Sequence, residues 1–151
     1  MSDLLHADLI AILVAGTTCG VLDLACALVV FRTRGVNPMR ALQGIASAAL
    51  GPAAFEQGAR ADTLGVLFHF VVAFSAAAVY CLAAARLRFM LEHAFLVGPL
   101  YGIAVHLFMT FVVLPLSRLN RRFAIGYFLV QLVVHMFAVG LPIGLIARKF
   151  L

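Results

Sequence analysis

Charge is what this sequence has least of. Of 151 residues only 11% are Asp, Glu, Lys or Arg, against 65% hydrophobic, and mean hydropathy is +1.12. A soluble domain is nearer one-quarter charged and one-half apolar. A water-soluble enzyme of this size has nowhere to hide so much apolar surface, and a disordered chain lacks this much material to bury. Lysine is nearly absent: ten of the eleven basic residues are Arg, which with abundant Ala suggests a GC-rich bacterial source. The basic residues are scattered through short connections and form no phosphate-binding stripe, so nucleic acid is not expected as a partner. Cysteine is sparse and unpaired by motif. Cys19, Cys26 and Cys81 lie in apolar runs without a CxxC and read as small hydrophobes. GxSxG, HExxH and Walker patterns are missing, which weighs against an enzyme without settling the matter.

Four long apolar runs are present, at about 8–31, 63–85, 94–116 and 123–147. Roughly 20 apolar residues cover the ~30 Å hydrocarbon core, and unbroken, non-alternating runs of that length cross as helices. The reading is an all-α integral membrane four-helix bundle, one domain over 1–151. The first residues carry Asp3 and Asp8 but no Lys or Arg, so a cleaved signal peptide is not expected. Between the first two runs, Asn37-Pro38 reads as a helix start and Gly51-Pro52 as a stop. Residues 38–51 therefore form one short helix, too short to span. Leu42, Ile45, Ala46 and Ala49 are expected on its apolar face, with Arg40, Gln43, Gly44 and Ser47 opposite. It is amphipathic and interfacial, held there by Arg34, Arg40 and Gln43, or re-entrant through Gly51-Pro52.

The side holding the first and third connections carries Arg32, Arg34, Arg40, Arg60, Arg118, Arg121 and Arg122; the other carries Arg86, Arg88, Arg148 and Lys149. The positive-inside rule then places both termini in the periplasm of a bacterial inner membrane. Three GxxxG pairs, Gly16–Gly20, Gly98–Gly102 and Gly140–Gly144, are expected to pack helices closely. On the fourth run Gly126, Gly140 and Gly144 lie opposite Gln131, His135 and Pro142. That second small-residue face suggests a homo-oligomer or a place in a larger membrane complex.

The buried polar residues carry the functional information. An ionisable group at the bilayer centre costs roughly 2.5–3.5 kcal/mol on insertion scales, so it faces the bundle interior and has a task. Four occur here: Asp23, His69, His106 and His135. Counted from the ends of the apolar runs, Asp23 lies about eight residues in and His69 about six, with His106 and His135 about eleven and twelve in. Two layers follow, an Asp23–His69 pair and a deeper His106–His135 pair, with Tyr80, Tyr101, Thr110 and Gln131 completing a hydrogen-bonded interior. Asp23–His69 either fixes helix register or relays and gates protons or a small solute. His106 and His135 either bond across helices or ligate a haem or metal, in an intramembrane cofactor protein. No cofactor is predicted outright. The remaining alternative is an accessory or assembly subunit.

Several stretches carry a family likeness. They are 16–24 (GTTCGVLDL), 34–47 (RGVNPMRALQGIAS), His69-Phe70, Val113-Leu114-Pro115-Leu116-Ser117 and His135-Met136-Phe137. Together they resemble small, uncharacterised bacterial inner-membrane proteins of the YagU-like kind, over nearly the whole chain. The resemblance implies four spans and points to Asp23, His69 and His135 as the site. It implies no activity.

Overall fold

The computed structural model describes residues 2–118 and 124–151, with side chains from residue 8 onward. Among these residues every regular element is helical. Helix α1 is Ser2–Thr33, α2 is Met39–Leu50, α3 is Ala59–Ala84, α4 is Ala94–Leu116 and α5 is Ile125–Phe150. A 3₁₀ turn, Gly51–Glu56, links α2 to α3, and a single turn, Phe89–Glu92, precedes α4. Four helices are long and apolar enough to cross a bilayer, with α1 qualifying over Asp8–Thr33. The chain is a multi-pass helical membrane protein. Helix α3 begins earlier than its apolar run, because Ala59, Arg60 and Asp62 join its first turn. Phe123, the expected start of the fourth run, lies outside the described residues, as do Arg121 and Arg122.

Packing is uneven along the bundle. The half nearer the termini is a dense core of small residues: Ala11, Ala15 and Cys19 of α1, Ala73, Ala77, Tyr80 and Cys81 of α3, and Val139, Ile143 and Ala147 of α5. Here α4 and α5 touch backbone to backbone. A Cβ on Gly98 would meet the Gly140 carbonyl oxygen at 2.8 Å, and one on Gly140 would strike the Gly98 oxygen and the Gly102 backbone. Gly144 faces the Ala94 carbonyl and the Tyr80 hydroxyl. The Gly140–Gly144 face is therefore spent inside the chain. The premise that it served a second subunit is corrected; only Gly126 of that set has open space beside it. On α1, Gly16 and Gly20 seat the rings of Phe74 and Phe70, so this pair receives aromatic side chains instead of a bare helix backbone.

Towards the other end the helices part, and α2 packs against the start of α3. Asn37 Oδ1 accepts the Met39 N–H at 3.0 Å and so starts α2. Gly51 ends it with φ +71°, a conformation open to glycine, and Pro52 follows. Gly65 of α3 lies directly against the Leu42 backbone, and Ala46 meets Ala54 and Ala61. Twelve residues rise ~18 Å, too little to cross. One face expectation is corrected: Gln43, Gly44 and Ser47 are buried while Ala49 is exposed. Ser47 can turn inward because its hydroxyl donates to the Gly44 carbonyl at 2.7 Å, which removes the cost of burying it. Arg34 and Arg40 stay exposed, their guanidinium groups 5.1 Å from the Tyr127 ring and 5.4 Å from the Phe55 ring.

Two wide π turns interrupt the spans, Met109–Val113 in α4 and His135–Gly140 in α5. Each ends two residues before a proline, Pro115 and Pro142. Proline has no N–H for the carbonyl four residues back, and its ring crowds that carbonyl. Widening the preceding turn relieves both problems.

Candidate functional site

The four ionisable side chains lie in one layer. Asp23 stands ten residues before the end of α1 at Thr33, and His69 ten after the start of α3 at Ala59. His106 stands ten before Leu116, and His135 ten after Ile125. All four ends are on the same side of the bundle, so each group lies ~15 Å in. The expected two layers are thereby corrected to one. Apolar runs misplace depth here, because α3 begins with polar residues and α1 continues past Phe31 to Thr33.

Within the layer Asp23 is central. Its Oδ2 lies 4.0 Å from Nδ1 of His69, and its Oδ1 lies 4.0 Å from Nδ1 of His135. These are ion-pair distances and too long for direct hydrogen bonds. The three side chains are only 11–17% exposed. His106 is 6% exposed, and its ring lies 4.8 Å from that of His135, centre to centre. The row His69–Asp23–His135–His106 thus joins all four spanning helices.

Backbone carbonyls fix two of the rings. Nε2 of His69 lies 2.8 Å from the Gly20 oxygen, and Nδ1 of His135 lies 2.8 Å from the Gln131 oxygen. A carbonyl only accepts, so each of these nitrogens carries the proton and donates it. Neutral His69 therefore turns the lone pair of Nδ1 towards Asp23, and the two groups attract when one of them holds a proton. Gln131 commits its amide N–H to the Tyr127 hydroxyl at 3.0 Å. Among the described residues, three buried atoms of the site have no hydrogen-bond partner: Asp23 Oδ1, Gln131 Oε1 and His106 Nε2.

A cavity of about 710 Å³ opens from this layer and reaches the helix ends at Ser117, Arg118 and Tyr127. Helix α2 walls one side with Ala41, Gly44, Ile45 and Ala48, and the Arg118 N–H bonds the Ala48 carbonyl at 2.9 Å. Most of the remaining wall is apolar, including Val72, Val105, Met109, Phe111 and Phe128. Asp23, His69, His106, Gln131 and His135 all line it, as does Thr110. The volume is that of a small-molecule site, with few polar groups converging in an apolar shell.

Tyr80 is not among them, and its placement in the polar site is corrected. Eleven residues beyond His69, it is fully buried in the dense half, where its hydroxyl donates to the Met90 carbonyl at 3.2 Å. Tyr101 packs edge-on against it and donates to the Ala76 carbonyl at 2.7 Å. Gln43, expected at the interface, is buried in α2, and its Oε1 has no hydrogen-bond partner among the described residues. Sequence reasoning missed the cavity and the wall that α2 gives it. The inward-facing Gly44 and Ser47 were the available signal, small residues where a surface helix would carry large polar ones.

His106 and His135 are the pair that would hold a haem or metal. Their rings are in mutual contact, with no room between them for a macrocycle in this arrangement. Among the described residues no group of three or more His, Cys, Asp or Glu side chains stands at metal-binding spacing. Comparison with protein-family models, curated proteins and solved structures finds no match to this chain.

Proposed function

We propose that this protein is a small transporter-like protein of a bacterial inner membrane in which the Asp23–His layer gates the passage of protons and a small solute. The observation that carries the reading is the convergence of four ionisable side chains from four helices on one end of a large, mostly apolar cavity. Burying a carboxylate and three imidazoles is costly, and packing alone calls for none of them. Their common depth favours a gate over a wire. Four groups in one plane carry a proton sideways between helices, whereas a wire needs groups stacked along the membrane normal. The arginine-rich connections border the cavity side, which the positive-inside rule assigns to the cytoplasm, with both termini periplasmic.

The test is proton flux in lipid vesicles containing the purified protein and a trapped pH indicator, at zero membrane potential. Wild-type vesicles should relax an imposed pH step faster than empty ones. Asp23→Asn should relax like empty vesicles, and Ser75→Ala, on the exposed flank of α3, like wild type. Equal rates for wild type and Asp23→Asn overturn the proposal.

A further inference from the structure

The hydrogen-bonding character of the layer restricts what the cavity can hold. With His69 and His135 donating to backbone carbonyls, their remaining nitrogens are lone-pair sites in the neutral rings. Asp23 offers carboxylate oxygens, and Gln131, its amide N–H engaged by Tyr127, offers Oε1. His106 adds a buried imidazole at 6% exposure, whose Nε2 has no hydrogen-bond partner among the described residues. The charged and titratable groups facing Asp23 are thus His69 on α3, His106 on α4 and His135 on α5, with Cys19 beside it on α1. Helix α2 adds none to the cavity wall. Together the atoms of Asp23, Gln131, His69 and His135 make the layer rich in acceptors, while the donors Thr110, Tyr127 and Arg118 line the cavity beside it.

Resting on the gating function proposed above, we infer that the cavity binds a lipophilic primary or secondary amine. A carboxylate or phosphate would set its oxygens against the Asp23 carboxylate and Gln131 Oε1. A quaternary ammonium has the charge but no N–H to give. A bare proton would leave about 710 Å³ of apolar cavity without a use. An amine meets each demand. It arrives as the free base, which the arginines at Arg34 and Arg118 do not repel. A proton held on Asp23 or on Nδ1 of His69 moves to the amine nitrogen: one N–H bond forms, and that O–H or N–H bond breaks. The resulting ammonium stays beside the Asp23 carboxylate, its N–H groups directed to Asp23 Oδ1 and Gln131 Oε1. The hydrocarbon part lies against Val72, Met109 and Phe128.

Binding of four probes to the full chain in mild detergent tests this: benzylamine, benzyltrimethylammonium, benzyl alcohol and phenylacetate. Benzylamine should bind at least about tenfold more tightly than the other three, the range expected for hydrogen bonds to a charged group. Asp23→Asn should remove that preference. In case Asp23→Asn does not fold, ¹⁵N-histidine NMR of the wild type should show benzylamine shifting His69 and His135 and phenylacetate leaving them in place. Quaternary ammonium or phenylacetate binding as tightly as benzylamine overturns the amine assignment and leaves the gate standing. No binding by any probe also overturns it, while the vesicle assay decides separately whether the layer gates protons.

Discussion

At the residue scale, the same substitution has opposite consequences at two glycines of one helix. A methyl on Gly140 meets backbone atoms of α4, which cannot swing aside, whereas a methyl on Gly126 meets nothing. Gly140→Ala should destabilise by about 1–3 kcal/mol. Gly126→Ala should hold or slightly raise stability, since Ala is the better helix former. Thermal unfolding of the two variants in one detergent checks both. The difference could not be read from the sequence, where both glycines appear on one stripe. Asp23 and His69 were legible as a pair because a buried acid needs a partner and each sits on a small-residue stripe. Tyr80 was misread because a polar group inside a span suggests a polar neighbourhood. Its hydroxyl instead needs one carbonyl, supplied by Met90 at the end of the dense half.

At the scale of the element, the helices depart from regularity where the site needs it. The π turn of α5 begins at His135 and that of α4 at Met109, and both line the cavity. Such turns recur at functional sites. Pro142→Ala restores an N–H and removes the ring, so the turn should tighten and rotate His135 away from Asp23. The expected result is a higher melting temperature with proton flux and amine binding both lowered. A variant as active as wild type would show that the turn does not position the histidine. Helix α2 offers a second test. Gly51 has φ +71° and ψ −164°, while the nearest atom to an added Cβ, on Arg118, is an ordinary 3.9 Å away. Gly51→Ala should therefore cost about 1–3 kcal/mol through backbone conformation alone, seen in the same unfolding assay. Asn37-Pro38 and Gly51-Pro52 announced the two ends of α2. Its buried face was not announced, because Ser47 and Gly44 satisfy each other locally and so conceal their burial from any count of polar residues.

For the whole molecule, the spans and the all-helical class follow from hydropathy, since a bilayer imposes its length on any helix that crosses it. The division into a packed half and a parted half does not follow, because it depends on which glycines find backbone and which find space. Orientation is testable directly. In the orientation proposed above, a membrane-impermeant maleimide should label Arg86→Cys in spheroplasts and Arg60→Cys only after lysis. The native cysteines lie within the spans, two of them buried, and give a low background. The reverse pattern would invert the topology.

The shared count of ten residues has a consequence for how this protein tolerates changes in length. Asp23, His69, His106 and His135 are held in phase by the dense half, where Gly98, Gly102 and Gly140 lock α4 to α5. One residue inserted in α1 between Cys19 and Asp23 turns the carboxylate by ~100° away from both histidines. The same insertion near Thr33 lengthens only the wall of the cavity. Thicker or thinner bilayers can therefore be matched at the parted end by adding or removing whole residues, while the layer keeps its alignment from the other side.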